Sequence, residues 1–246
     1  MSLRKIYFNA KRKQEFNPKF LGIFINPFYF ARKRLYDSIK ELAKEINGGS
    51  LLDVGCGTKP YKELFNVEKY DGLEIITEEY GDLKEAEFFY DGKTFPFENN
   101  SYDNILCNEV LEHVFNPDEF LCEIHRVLKS DGKLLLTVPF VWFEHEPPYD
   151  YGRYSSYGLK YLLEAHGFEI IKYKKSSNTL ETISQLLNGY IVMNFMFLKR
   201  MRIFNYIFTD IFCSISTLFA LIFGKIFPKG ELFYLDNVVL AKKIKD

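Results

Sequence analysis

The chain has 246 residues, of which 47% are apolar and 26% are charged, and its formal net charge is −1. This length suits one α/β domain with appendages, and the apolar content is too high for a disordered chain. Because a nucleic-acid-binding domain carries a marked excess of Lys and Arg, the near-neutral balance leads us to expect no nucleic-acid partner.

The first segment, residues 1–36, is basic and aromatic: it contains nine Lys and Arg against a single acid, Glu15, and nine aromatic residues lie among them. One interpretation is a solvated arm that docks its aromatic side chains on the domain. The other is a patch for a membrane surface or an anionic ligand. Charges interrupt every apolar run before residue 40, so we expect no signal peptide. We expect a cytoplasmic protein. If the basic segment is a membrane patch, the protein would attach peripherally to the inner membrane face.

The segments that follow alternate between helix and strand patterns. Apolar residues at helical spacing predict a helix over 31–46, which Asn47-Gly48-Gly49 ends. Further helices are predicted at 60–66, 117–129 and 157–166. Short apolar runs predict strands at 51–54, 70–75, 88–90, 105–107, 133–138, 168–173 and 233–241. Strands that alternate with helices indicate an α/β fold with a mainly parallel sheet covered on both faces.

The region 178–228 differs, because it consists of uncharged runs that only short charged stretches separate. Polar residues such as Gln185 and Asn188 interrupt these runs, which is untypical of a membrane span. Helices packed on the domain are the favoured interpretation, ahead of helices at a membrane interface and of a hairpin through the bilayer. Four segments are therefore predicted: a basic and aromatic arm with a helix (1–46), a cofactor-binding core (47–177), an apolar helical insertion (178–228) and the last strand of the core sheet (229–246).

The strongest functional signal follows the first strand, where Leu51-Leu52-Asp53-Val54 runs into Gly55-Cys56-Gly57. Glycines let a backbone approach a ligand closely, and the start of a following helix offers N–H groups. Such a turn, at the carboxyl end of the first strand, binds an adenosine-bearing cofactor. A dinucleotide site needs a further glycine where Pro60 stands, and the chain has no P-loop pattern. Asp53 suits a cofactor with an amino-acid end, because an ammonium group can interact with its carboxylate.

Three more motifs follow at the ends of later strands. Glu74 ends the second strand, where an acid can accept two hydrogen bonds from a ribose diol. Asp91 opens an Asp-Gly-Lys-Thr-Phe-Pro-Phe segment after the third strand. The fourth strand runs into Asn108-Glu109-Val110-Leu111-Glu112-His113-Val114.

With these motifs in this order, residues 51–139 resemble the class I S-adenosylmethionine-dependent methyltransferases. The resemblance implies a Rossmann-like, mainly parallel seven-stranded sheet with an antiparallel last strand, and S-adenosyl-L-methionine as the cofactor. In that family the acid matching Asp91 faces the adenine amino group, and the turn matching Asn108 lies beside the methionine end. Lys59 departs from the family pattern, which often has a third glycine there. The predicted cofactor-binding residues are Asp53, Gly55, Cys56, Gly57, Glu74, Ile75, Asp91, Gly92, Asn108 and Glu109.

The methyl acceptor is predicted to meet the loop after the fifth strand, residues 145–155, because loops at the carboxyl ends of strands carry function. A surface loop held by its own tyrosines is the alternative. The loop is similar to one in bacterial methyltransferases associated with surface-polysaccharide and glycolipid assembly, which implies O-methylation of a glycan or lipid-linked sugar. A small-molecule acceptor also stays open. A hydroxyl acceptor must lose a proton, and His145 and His113 are the candidate bases. The predicted acceptor-binding residues are Tyr149, Tyr151, Arg153 and Tyr154.

No metal site is predicted, because the four cysteines form no C-x-x-C pair and only four histidines are present. The alternatives to an enzyme are a methyltransferase-like scaffold without turnover and a peripheral membrane adaptor that works through 178–228. A dehydrogenase is disfavoured by Pro60. A membrane surface, contacted through 1–36 and 178–228, and a second copy of the chain in a homodimer stay open as partners.

Overall fold

The computed structural model describes residues 3–76, 85–194 and 202–244. The chain forms two compact units. The first, called the sheet unit, comprises Ser38–Phe140, Glu144–Lys174 and Asp236–Asp246. The second, called the helical unit, comprises Met1–Asp37, Val141–Phe143 and Lys175–Leu235.

The sheet unit is built on seven strands. These are β1 (Ser50–Val54), β2 (Lys69–Ile75), β3 (Phe88–Tyr90), β4 (Tyr102–Asn108), β5 (Leu128–Pro139), β6 (Phe168–Lys175) and β7 (Asp236–Lys243). They lie in the order β3-β2-β1-β4-β5-β7-β6. The strands from β1 to β5 pair in parallel, whereas β7 is antiparallel to β5. The prediction of a mainly parallel, seven-stranded α/β sheet with an antiparallel last strand is confirmed.

The central strands lie in the core, as their uninterrupted apolar runs require. Leu52, Val54 and Leu136 are inaccessible to solvent. Parallel strands that helices cover on both faces read as continuous apolar runs rather than as alternating ones. The helices α4 (Pro117–Val127) and α5 (Ser156–Ala165) contribute apolar side chains to the same core cluster as these strands.

The boundary between α4 and β5 differs from the prediction. The helix ends at Val127, because Leu128 already pairs with Tyr102 in the sheet. The next pair along the two strands is Asn104 with Lys133, so residues 129–132, at the junction of the predicted helix and the predicted strand, are looped out of the ladder inside β5. Such an irregularity lets a strand continue past extra residues without losing its register.

The helix predicted at 60–66 is a single 3₁₀ turn, Lys62–Leu64. Phe65 is already extended, and Asn66 forms an isolated parallel bridge with Asn47. The backbone N–H of Gly48 also donates to the carbonyl of Asn66 over 2.8 Å. These tertiary hydrogen bonds end the helix early, which the local sequence pattern does not reveal.

The helical unit holds α1 (Leu3–Lys13), α2 (Gly22–Ile25), the start of α3 (Tyr29–Leu42), α6 (Thr179–Asn194) and α7 (Arg202–Phe223). Small polar side chains connect α6 with α7. Ser184 Oγ lies 2.8 Å from Ser216 Oγ, and Asn188 Nδ2 donates to Thr217 Oγ1 over 3.0 Å. The polar residues that interrupt the apolar runs are therefore used inside the protein.

Gln185 of α6 satisfies the first turn of α3. Its Oε1 accepts hydrogen bonds from the N–H groups of Phe30 (3.0 Å) and Ala31 (3.2 Å), and its Nε2 donates to the carbonyl of Pro27 (3.1 Å). The first N–H groups of a helix have no partner within the helix. A buried amide thus caps α3, which explains one of the polar residues in the otherwise apolar region.

One side of α7 is buried and the other is exposed and apolar. Its one acid, Asp210, is buried and pairs with Lys11 Nζ at 3.0 Å and with the Tyr7 hydroxyl. Among the described residues, Asn205–Phe223 is the helical stretch that is long and apolar enough to cross a membrane by length and composition, and 33% of it is buried. The exposed side chains, together called the α7 apolar face, are Ile207, Phe208, Ile211, Phe212, Ile215, Phe219 and Ile222.

Candidate cofactor and acceptor site

The turn after β1 adopts the left-handed backbone that its glycines allow. Gly55 and Gly57 have φ angles of 69° and 50°. A Cβ atom on Gly55 would lie 2.4 Å from Val110 Cγ2, so Val110, which follows β4, packs directly against the turn. A Cβ atom on Gly57 would meet no described atom within 4 Å. The turn therefore needs glycine for packing at one position and leaves open space at the other.

Lys59, where the resembled family often has glycine, also has a left-handed φ, of 50°. A side chain in this conformation costs roughly 1–2 kcal/mol. The buried Lys59 Nζ lies 2.5 Å from both carboxylate oxygens of Glu87, and Glu87 Oε2 accepts from the N–H of Gly72 over 2.6 Å. This ion pair, which joins the buried lysine to an exposed glutamate, helps to hold Lys59 in a backbone position that usually calls for glycine.

Asp53, near the end of β1, is buried and accepts a hydrogen bond from the Tyr70 hydroxyl over 2.6 Å. Burial raises the pKa of Asp53 to about 7, although the Tyr70 hydrogen bond and the charge of Lys59 act in the opposite direction. A carboxyl group with such a pKa loses its proton readily when a cation binds beside it, because the cation stabilises the carboxylate.

Glu74, near the end of β2, is buried against the glycine turn. Its Oε2 accepts from the N–H of Gly57 over 3.0 Å, and its Oε1 accepts from the N–H of Ile75 over 3.1 Å. The two hydrogen bonds hold the carboxylate beside the turn. This sequence-predicted residue and the turn are thus in direct contact.

The residues after β3 form a compact turn. Asp91 Oδ1 accepts from the N–H groups of Lys93 (3.0 Å) and Thr94 (3.4 Å), and these bonds lower the pKa of Asp91. The neighbouring Gly92 has a φ of 86°, and a Cβ atom there would lie 3.0 Å from Ile75 Cδ1. The predicted residues on β2 and after β3 therefore approach each other closely.

At the end of β4, Thr137 of the neighbouring strand orients the backbone. Its hydroxyl donates to Asn108 Oδ1 over 3.0 Å and accepts from the N–H of Glu109, also over 3.0 Å. Glu109 has a left-handed φ of 52°. These contacts turn the chain sharply at the strand end.

Cys56 lies within the glycine turn and is buried, as is Cys107 on β4. Burial raises the pKa of the Cys56 thiol to about 12 and that of Cys107 well above its ordinary value. Both thiols are therefore protonated near neutral pH and poor nucleophiles.

Because β1 to β4 are parallel, all these strand ends lie at one edge of the sheet. Carboxylates that can accept hydrogen bonds stand there beside a turn with open space at Gly57. This donor and acceptor set fits a ligand with a ribose diol and an ammonium group.

The loop after β5 is organised by Asp150. Arg153 donates to both of its oxygens, over 2.5 and 2.7 Å, and the backbone N–H of His145 donates to Oδ2 over 3.0 Å. The Arg153 hydrogen bond is the main reason that the pKa of Asp150 is lowered to about 2. Tyr149 and Tyr151 are exposed, whereas Tyr154 is half-buried against the core.

Both candidate bases meet at this loop. The rings of His113 and His145 form an edge-to-face pair with centroids 4.8 Å apart, and His113 Nδ1 lies 2.7 Å from the carbonyl of Tyr149. Beside them, the Glu112 side chain is only 1% exposed. Burial raises the pKa of Glu112 to about 8, with the charge of Arg153 opposing the shift.

Three functional candidates were not selected from the sequence: Glu87, Glu112 and Asp150. Glu87 comes from a weakly patterned segment and is identified only through its tertiary contact with Lys59. Glu112 stands next to His113 in the motif after β4, but nothing local predicts that its carboxylate is buried. Asp150 could have been found from the sequence, because Arg153 follows it at the three-residue spacing of an ion pair.

A family model described as a methyltransferase domain matches residues 28–173. The chain belongs to this methyltransferase family. An uncharacterized protein of Methanocaldococcus jannaschii is 32% identical to this chain over 137 residues, which are 53% of this chain and 59% of that protein. A ubiquinone biosynthesis O-methyltransferase of Rickettsia bellii is 29% identical over 42% of this chain and 47% of its own. The chain thus spans about half the length of these curated relatives.

Solved structures share the fold of this chain at low sequence identity. Phosphoethanolamine N-methyltransferase 2 of Haemonchus contortus, in complex with S-adenosyl-L-methionine, has a TM-score of 0.55 and 19% identity over 100% of this chain and 60% of its own. The [4+2]-cyclase SpnF has a TM-score of 0.53 and 19% identity over 87% of this chain and 82% of its own. Since the neighbours include a cyclase, the fold alone does not define the reaction.

Proposed function

We propose that this methyltransferase uses S-adenosyl-L-methionine to methylate a hydroxyl group of a glycan, a lipid-linked sugar or another small molecule. The observation that carries the proposal is the contact between the glycine turn and Glu74, whose Oε2 accepts from the N–H of Gly57 over 3.0 Å. A carboxylate beside a close-approach turn at the end of β2 supports binding of a ribose diol.

Each cofactor-site residue has a distinct task in this proposal. Glu74 accepts hydrogen bonds from the ribose, and Asp53 interacts with the ammonium group of the methionine end. Asp91 faces the adenine amino group, with Ile75 and Gly92 packed beside it. The cofactor supplies the methyl group as an electrophile, while the protein binds and orients both reactants and excludes water.

Hydroxyl acceptors are favoured by the groups near the loop after β5. A hydroxyl must lose its proton on methylation, whereas an amine needs only to arrive neutral. His113 and His145 lie together beside Glu112, which supports proton removal there. The exposed rings of Tyr149 and Tyr151 can stack on a sugar ring.

N-methylation is the competing reaction, because a phosphoethanolamine N-methyltransferase of Caenorhabditis elegans is 24% identical over 42% of this chain and 28% of its own. A scaffold without turnover is the second alternative. The candidate bases His113 and His145 favour O-methylation over N-methylation and over a scaffold without turnover, because only O-methylation requires proton removal from a hydroxyl.

Methyl transfer from radiolabelled S-adenosyl-L-methionine tests the proposal, with free sugars and lipid-linked sugars as acceptors and phosphoethanolamine as the comparator. We expect label in an ether of a sugar hydroxyl, and His145→Ala should lower turnover more than cofactor affinity. Label in the amine alone would contradict O-methylation. Cofactor binding without label in any acceptor would favour the scaffold.

We further propose that the protein acts in the cytoplasm and contacts an anionic membrane surface through the helical unit. The α7 apolar face offers aromatic and aliphatic side chains to a bilayer interface, and the acid of α7 is already neutralised by Lys11. On α1, residues 11–13 are Lys-Arg-Lys, and α1 has no acid. Apolar burial combined with basic side chains is the usual basis of interfacial binding.

A further inference from the structure

Three side chains of the sheet unit converge in a way that the sequence did not indicate. Glu112, His113 and His145, called the Glu112 cluster, each present a ligand atom, and these atoms all lie within 4.8 Å of one another. Glu112 and His113 belong to the 3₁₀ helix Leu111–His113 after β4, and His145 comes from the loop after β5. Their distance along the chain is the reason that no spacing pattern predicted the cluster.

Glu112 is the member that demands an explanation. It is almost fully buried, and within the described part of the chain no hydrogen-bond donor reaches its Oε2 atom. Its other oxygen, Oε1, lies 3.7 Å from His113 Nε2, which is too long for a hydrogen bond. Buried carboxylates are normally paired, hydrogen-bonded or bound to a metal, and an unsatisfied one points to a missing ion or water.

Both imidazoles meet polar groups at their Nδ1 atoms, and His145 Nδ1 also lies 3.5 Å from the guanidinium of Arg153. His113 Nδ1 donates to the carbonyl of Tyr149 over 2.7 Å, and His145 Nδ1 lies 3.2 Å from Asp150 Oδ2. The proton that His113 Nδ1 donates leaves the lone pair of that ring on Nε2, and a proton shared between His145 Nδ1 and Asp150 Oδ2 would do the same for the second ring. Histidines that bind metals almost always donate their other N–H to a carbonyl or carboxylate in this manner.

We propose that Glu112, His113 and His145 form a binding site for a divalent transition-metal ion, such as Zn²⁺ or Mn²⁺. Two imidazoles and one carboxylate suit these ions, whereas Mg²⁺ and Ca²⁺ prefer oxygen ligands alone. Three protein ligands leave further coordination positions for water or substrate. The charge of Arg153 near the site is balanced by its two hydrogen bonds to Asp150.

The chemical role of the ion rests on the proposed O-methylation. The cluster follows directly on β4, and Val110, from the same motif, packs against the cofactor turn at Gly55. An acceptor hydroxyl that coordinates the ion loses its proton to solvent more readily. Its oxygen then uses an electron pair to form the bond to the methyl carbon, while the pair of the breaking carbon–sulfur bond stays on the sulfur.

Metal binding itself is the test, with no acceptor present. The full chain is first freed of metal with a chelator, and Mn²⁺ binding is followed by electron paramagnetic resonance and Zn²⁺ binding by calorimetry. Glu112→Gln removes the buried ligand, and His145→Asn, at a half-exposed position, removes a ligand with less risk to folding. Glu144→Gln, an exposed change next to the same loop, is the matched control.

We expect one ion per chain for the wild type and for Glu144→Gln, and at least about tenfold weaker binding for Glu112→Gln and His145→Asn. Magnesium should compete poorly. The proposal is overturned by a wild type that binds neither ion stoichiometrically, or by folded ligand variants that bind like the control. Titration of each protein with S-adenosylhomocysteine separates this result from the cofactor proposal, since either site can fail without the other.

Discussion

Asp53 is a residue whose charge depends on what binds beside it. It is buried at the end of β1, and its hydrogen bond from Tyr70 does not compensate for the loss of water. Its pKa of about 7 therefore makes the cofactor site sensitive to pH in the neutral range. The motif identified Asp53, but its proton affinity depends on burial and on the tertiary neighbours Tyr70 and Lys59, which no local pattern supplies.

Replacing Asp53 with Asn isolates this effect. The folded protein holds a proton on Asp53 up to about pH 7, whereas the unfolded chain loses it near the ordinary aspartate pKa of 3.8. The contribution of Asp53 to the free energy of unfolding thus decreases as the pH rises through this window. Asp53→Asn should have little effect at about pH 4 and should stabilise the protein at about pH 8, by denaturant unfolding.

The same substitution has the opposite consequence for cofactor binding. Ionised Asp53 attracts an ammonium group, so the affinity of the wild type for S-adenosylhomocysteine should increase between about pH 6 and pH 8. Asp53→Asn should bind more weakly at the higher pH and show a flatter profile. An unchanged profile in calorimetric titrations would remove Asp53 from the ammonium contact.

The glycine turn shows how an element divides its tasks. Both glycines are left-handed, but only Gly55 is in close contact with Val110. The sequence motif located the turn and the strands on either side of it, because their apolar runs and glycines are local signals. It did not locate the end of α4 or the short 3₁₀ turn at Lys62–Leu64, since pairing with Tyr102 and Asn47 decides those boundaries.

Alanine at the two glycines should therefore have different effects. Gly55→Ala should lower the free energy of unfolding by more than about 1 kcal/mol, because strain adds to the overlap with Val110. The double variant with Val110→Ala should recover part of that loss. Gly57→Ala should lower the free energy of unfolding less, because its Cβ enters open space. Its main effect should be a loss of cofactor affinity. Thermal unfolding with and without S-adenosylhomocysteine would compare them, and equal profiles for the two single variants would contradict this division.

The whole chain combines a sheet unit with a mainly parallel seven-stranded sheet and a helical unit for whose apolar segment the sequence left several interpretations open. Alternating strand and helix patterns were enough to predict the sheet, and the antiparallel β7 followed from the family resemblance. The polar residues that interrupt the apolar runs of 178–228 favoured packed helices over interfacial ones. The structure assigns Gln185 and Asn188 to internal hydrogen bonds and leaves the α7 apolar face exposed, so both properties occur in one segment.

The proposed membrane contact predicts lipid-dependent partitioning of the full chain. Wild-type protein should float with anionic vesicles, and the fraction should fall as salt is added because basic side chains contribute. Ile211→Asp combined with Ile215→Asp should reduce flotation strongly, because both side chains belong to the α7 apolar face. Tyr157→Asp, at an exposed aromatic of the sheet unit, is the matched control. The same partitioning with and without lipid, or unchanged flotation of the α7 variant, would show that the α7 apolar face does not bind the membrane.

Calorimetric titration with S-adenosylhomocysteine shows whether the edge of the sheet at Gly57 and Glu74 binds S-adenosyl-L-methionine. We expect a dissociation constant of roughly micromolar order for the wild type and no binding of NADH. Glu74→Ala should weaken binding by about 1–3 kcal/mol, since charge-assisted hydrogen bonds are lost, while the exposed Glu68→Ala should not. Absence of binding to the folded wild type would mean that this edge does not bind the cofactor, and equal affinity in Glu74→Ala would remove Glu74 from the site.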